Sequence, residues 1–96
     1  MPDYENAYEI PLGTFTAPED GFISLHAHGL NNSGGLSDAY VGIIIREISF
    51  INRSRVDMGT NAHATVFAPI PKDETATISV SQVSDYKCHF IPLKKW

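Results

Sequence analysis

The sequence predicts an all-β sandwich or barrel, on three observations. Apolar residues alternate at period 2 in several stretches, as in Ile23, Leu25 and Ala27 against Ser24, His26 and His28. Turn signals recur at short spacing: Pro11-Leu12-Gly13, Pro18 to Gly21, Asn31 to Gly35, Asn52 to Arg55, Asp57 to Asn61, Pro69 to Asp73 and Ser84-Asp85. The best helical candidate, Ala39 to Phe50, is dominated by Val41, Ile43, Ile44, Ile45 and Ile48, and such β-branched crowding favours a strand.

The expected elements follow in order. Residues 1–9 read as an extended lead-in to a single domain covering residues 1–96. Ile10–Thr16 is the first strand. It runs into Thr16-Ala17-Pro18-Glu19-Asp20-Gly21, where Pro18 sets φ and Gly21 is free to take positive φ. This reads as a tight turn that fixes the register of the first two strands. Phe22–Gly29 is the second strand, with Ile23, Leu25 and Ala27 toward the core and Phe22, Ser24, His26 and His28 on the other face. Ala39–Asn52 reads as one long strand with a bulge or bend, Gly42 being the natural place for it. Ala62–Ala68, Thr75–Gln82 and Tyr86–Leu93 complete the set. In the second of these, Ala76, Ile78 and Val80 share one face, and Thr75, Thr77 and Ser79 the other.

The long central strand is apolar on both faces, with Tyr40, Ile44, Ile48 and Phe50 opposite Val41, Ile43 and Ile45. A two-layer sandwich has one inside per sheet, so the second face needs a cover, and another copy of the chain is the simplest one. A domain of 96 residues hides only roughly 60–65% of its unfolded surface, which also favours association.

Composition excludes several classes. The net charge is −4 and the seven basic residues are scattered, which argues against nucleic-acid binding. No apolar run approaches the ~20 residues of a membrane span, and the acidic start is unlike a signal peptide. The single cysteine, Cys88, alternates with Tyr86 and Phe90 and reads as a small buried hydrophobe. No nucleophile elbow or phosphate-cradling loop is present, and Glu19-Asp20 points its two carboxylates apart, so no catalytic residues are assigned and no enzyme activity is expected.

The loops offer a binding chemistry instead. Sugar recognition needs hydroxyl-bonding side chains beside aromatic faces. Asn31, Asn32, Ser33 and Asp38 with Tyr40 supply one such set; Asn52, Arg53, Arg55 and Asp57, with Asn61 nearby, supply another.

Three segments, in this order, resemble the receptor-binding head domains that end bacteriophage tail fibres. They are Thr16-Ala17-Pro18-Glu19-Asp20-Gly21, the Ala68-Pro69-Ile70-Pro71-Lys72 turn, and the closing Phe90-Ile91-Pro92-Leu93-Lys94-Lys95-Trp96. Where the second turn of that family carries glycine, this chain has Lys72-Asp73-Glu74. The resemblance implies a jelly-roll-like antiparallel β-sandwich of the kind seen in the C1q and tumour-necrosis-factor families, assembled as a homotrimer. It implies a virion protein made in the bacterial cytoplasm, which binds a bacterial surface glycan or protein without catalysis. A structural role in capsid decoration or fibre assembly is the alternative. Phe22, Ile44, Ile48, Phe50 and Trp96 are the expected interface residues.

No cofactor is expected, with one exception. In a trimer with that face on the axis, three His26/His28 pairs would present six nitrogens, enough for an octahedral transition metal. Solvent-facing or interface histidines are the simpler reading.

Overall fold

A computed structural model describes residues 2–29, 37–56 and 63–93, the side chains of 37, 38, 55 and 56 excepted. These residues form eight strands: β1 (Tyr8–Glu9), β2 (Gly13–Thr16), β3 (Gly21–Gly29), β4 (Ser37–Ile45), β5 (Ile48–Val56), β6 (His63–Ile70), β7 (Thr75–Ser81) and β8 (Val83–Pro92). They make two four-stranded antiparallel sheets packed as a sandwich, one in the order β1-β8-β3-β6 and the other β2-β7-β4-β5. The lead-in is a 3-10 turn, Tyr4–Asn6, followed by β1, which pairs with β8.

The core lies where the two inner faces meet, and the period-2 pattern selects its members. Ile23, Leu25 and Ala27 of β3 are fully buried, as are Ala39, Val41 and Ile43 of β4 and Ala76 of β7, with Ile78 nearly so. Phe90 of β8 is central: its ring packs against Tyr8 at 5.6 Å and, across the sandwich, against Phe15 at 5.3 Å. Many of the facing residues are alanines, which lets the larger side chains interdigitate. Cys88 is buried among them, as its alternation with Phe90 anticipates, and burial pushes its thiol up from 9.0 to about 11.

The structure corrects the sequence reading at several points. Ala39–Asn52 is not one strand but a hairpin, turning at Arg46 and Glu47 with φ of 47° and 67°. Two consecutive positive-φ residues make the turn hairpins favour, in which glycine, asparagine and aspartate predominate. Neither Arg46 nor Glu47 carries that signal, so the turn is silent in the sequence. The reversal changes which way the second half points. Ile45 pairs with Ile48 and Ile43 with Phe50, so Ile48 and Phe50 belong to the inward side, not to the face of Ile44. Gly42 makes no bulge: pairing is continuous across it on both sides. Tyr40 covers it instead, since a Cβ at Gly42 would stand 2.8 Å from the Tyr40 hydroxyl.

The Thr16–Gly21 segment is not a hairpin turn either. It carries the chain from one sheet to the other, because β2 pairs with β7 whereas β3 pairs with β6 and β8. Gly21 is extended and buried, with no positive φ. A Cβ there would lie 2.5 Å from the Ile91 carbonyl oxygen and 2.7 Å from the Phe90 ring, so glycine is required for space.

The crossover is fastened to the Pro71–Glu74 turn. The Ala17 amide donates to Glu74 O at 2.9 Å, and the Asp73 amide to Ala17 O at 2.8 Å. The Lys72 amide donates to the Asp20 carboxylate at 2.8 Å. Asp73 has φ 70°, a conformation aspartate tolerates where glycine is the common choice. The turn expected at Ser84-Asp85 falls at Gln82, φ 55°, and Ser84 and Asp85 lie within β8.

Candidate functional site

The outer face of the β1-β8-β3-β6 sheet carries the densest chemistry among the described residues. Alternation sends the even residues of β3 to this face, and pairing brings the odd residues of β6 and β8 beside them. Phe22 lies opposite Pro69 and Ile91; Ser24 opposite Phe67 and His89; His26 opposite Thr65 and Lys87; His28 opposite His63 and Asp85. At one end the face is aromatic: Phe22 and Phe67 stack with centroids 4.7 Å apart and planes at 19°. At the other end it is imidazole-rich.

His26, His28 and His63 form a three-histidine cluster. Ring centroids are 5.1 Å apart for His26 and His28, 4.5 Å for His28 and His63, and 5.8 Å for His26 and His63. One nitrogen of each lies within 4.8 Å of the others. The sequence pairs His26 with His28 but leaves His63 out. Its signal is faint: His63-Ala64-Thr65 alternates as His26-Ala27-His28 does, and only the β3–β6 register shows that the two segments lie side by side.

Two of the three rings are held from behind. His28 Nδ1 lies 2.7 Å from the Asp85 carboxylate. His26 Nδ1 lies 2.6 Å from the Thr65 hydroxyl. Hydroxyl and carboxylate thus attach to different imidazoles, and neither ring bridges one to the other as a nucleophile relay needs. The arrangement is suited to holding a ligand-accepting nitrogen array, with His28 and His26 partly exposed and His63 exposed. Nearby, Lys87 pairs with Glu9 at 3.7 Å.

The loop candidates distribute differently. Asn31, Asn32, Ser33, Asp57 and Asn61 lie outside the described residues, as does Trp96. Asp38 and Arg55 are register partners, and so are Tyr40 and Arg53, the latter pair on the outer face of the β2-β7-β4-β5 sheet. Asn52 serves the fold: its side-chain amide donates to Thr65 O at 2.8 Å and ties β5 to the edge of the other sheet. The chain leaves the described residues at Gly29 and Val56 and re-enters at Ser37 and His63. All four lie at the end of the sandwich that holds His28 and the Gln82 corner. The Arg46-Glu47 hairpin turn and the Ala17–Asp20 crossover lie at the opposite end.

Those of the expected interface residues that are described fall on different parts of the surface. Phe22 is on one outer face and Ile44 on the other. Ile48 and Phe50 line an apolar groove of about 300 Å³ with Pro69 and Pro71, where the two sheets part.

No protein-family model matches the chain, and neither a curated protein nor a solved structure is found to match it.

Proposed function

We propose that this chain is the non-enzymatic binding head of a bacteriophage tail fibre, a jelly-roll sandwich that works as a homotrimer and recognises a bacterial surface glycan or protein. The observation that carries the reading is the division of labour between the two ends of the sandwich. One end is built from the crossover, which carries the first segment that resembles the family, and the Pro71–Glu74 turn, which follows directly on the second, the two joined by three hydrogen bonds. The other end gathers the strand ends Gly29, Ser37, Val56 and His63, next in sequence to the candidates Asn31, Asn32, Ser33, Asp38, Arg55, Asp57 and Asn61. Binding residues are disproportionately carried on segments that a rigid scaffold positions.

Two further features support it. The strand order, β1-β8-β3-β6 against β2-β7-β4-β5, crosses between sheets at every connection but the β4–β5 hairpin, as a double Greek key does. The stacked Phe22–Phe67 pair leaves Phe67 47% exposed on a sheet face, an apolar surface that a neighbouring copy would cover. Three weak sites on one trimer bind a cell surface by avidity.

The test is adsorption to host cells by alanine variants of two sets, Asn31, Asn32 and Ser33 in one and Arg53, Arg55 and Asp57 in the other. Asn52 stays intact because its amide closes the sandwich edge. Sedimentation follows assembly in parallel. Adsorption should fall in at least one set while assembly is unchanged. Undiminished adsorption in both sets would refute recognition by these segments and leave capsid decoration or fibre assembly as the role.

A further inference from the structure

We propose that His26, His28 and His63 of a single chain bind one divalent transition-metal ion. The three imidazoles project from adjacent, paired strands. His28 and His63 are direct register partners, with the buried pair Ala27 and Ala64 beside them on the inner side of the sheet. The backbone beneath the cluster is therefore held by the core, and only side-chain torsions remain to be set.

The geometry is close to a coordination sphere. A tetrahedral ion with nitrogen bonds of 2.0–2.1 Å holds its ligand atoms about 3.3 Å apart. The three nitrogens here lie within 4.8 Å of one another. Closing the remainder, about 1.5 Å at most, falls to the torsions of three side chains that are at least partly exposed.

The second observation is the backing of the rings. In histidine metal sites the non-ligating nitrogen is anchored on a carboxylate or another acceptor, which fixes the tautomer and aims the ring. Asp85 does this for His28 Nδ1, and the Thr65 hydroxyl contacts His26 Nδ1. Nε2 is then the nitrogen each of these two rings offers to a metal. Three neutral imidazoles favour zinc, cobalt, nickel or copper over magnesium or calcium. Three protein donors on an accessible face leave a coordination position for water or for a donor from a bound molecule.

This site differs from an axial one built by a trimer. It is complete within one chain, so it takes one ion per chain in any oligomeric state. It also stands apart from the adhesion reading, because metal can bind whether or not the chain recognises a cell.

The experiment is a zinc titration of the tag-free protein in competition with a chromophoric chelator, with the visible spectrum of added cobalt as a second readout. One equivalent per chain is expected, with an intense tetrahedral cobalt band. His63→Ala, at an exposed position on an edge strand, should weaken zinc at least tenfold. Asp85→Asn, which keeps the shape but loses the charge behind His28, should weaken it by about 10–100-fold. His89→Ala removes the one histidine outside the cluster and should change nothing. Circular-dichroism melts confirm that each variant folds. Three results would overturn the site: zinc affinity unmoved by His63→Ala, affinity no greater than that of a variant lacking all three histidines, or saturation at one ion per three chains.

Discussion

Gly21→Ala tests whether this glycine serves conformation or space. The added methyl would sit 2.5 Å from the Ile91 carbonyl oxygen and 2.7 and 2.8 Å from two atoms of the Phe90 ring. Real Cβ contacts essentially never fall under 3.0 Å, so the neighbours must retreat by about half an ångström. Neither retreats easily: one is backbone of β8 and the other a fully buried ring wedged between Tyr8 and Phe15. Overpacking of this kind costs about 1–3 kcal/mol, and the rigidity of both neighbours puts Gly21→Ala at the upper end. At about 4–8 °C per kcal/mol for a domain of this size, the melting temperature should fall by about 12–24 °C. Urea unfolding of wild type and variant measures the difference. Gly21→Asn separates the two explanations, because asparagine accepts positive φ but needs more room, and it should be worse than alanine. Gly42→Ala is the control. Its methyl meets the Tyr40 hydroxyl at 2.8 Å, the far end of a half-exposed side chain that can turn aside, so stability should stay within about 0.5 kcal/mol. A loss under about 0.5 kcal/mol for Gly21→Ala, or an asparagine better tolerated than alanine, would refute the spatial argument.

Three further outcomes follow from the hairpin and the core. Glu47→Gly should raise stability by about 0.5–1 kcal/mol in urea unfolding, because Glu47 is held at φ 67° and glycine relieves that strain; Arg46 stays in place to keep its 2.6 Å pair with Glu74. Cys88 should react with a thiol reagent at least a hundredfold more slowly in the folded than in the unfolded chain, since its thiol is raised from 9.0 to about 11 by burial. The same shift gives a pH dependence with a definite sign. The folded state keeps the proton that the unfolded state releases, so stability present below pH 9 declines as pH rises from 9 toward 11, and Cys88→Ala should remove that part of the slope.

What the sequence determined by itself is the local part of the structure: which residues of a strand face inward, and some of the turns, Pro69 to Asp73 among them, whereas Asn52 to Arg55, expected as a turn, lies within β5. Ile23, Leu25 and Ala27 against His26 and His28 could be read directly, because side chains alternate along any extended chain. The same holds for Ala76 and Ile78 against Thr75 and Thr77, and for the burial of Cys88. Tertiary structure decided which strands are neighbours. Pairing between distant strands is set by core packing and by the whole sheet at once, and no short segment encodes it. That is why the Pro18–Gly21 segment, a hairpin turn on local grounds, is a crossover, and why Gly21 matters for the ring of a residue 69 positions later. It is also why the Arg46-Glu47 reversal leaves no local signature: the energy of the paired strands holds two residues in a conformation their own preferences oppose. The histidine cluster shows both parts together. Alternation places His26 and His28 on one face, but only the β3–β6 register, settled across an interval of more than thirty residues, brings His63 to join them.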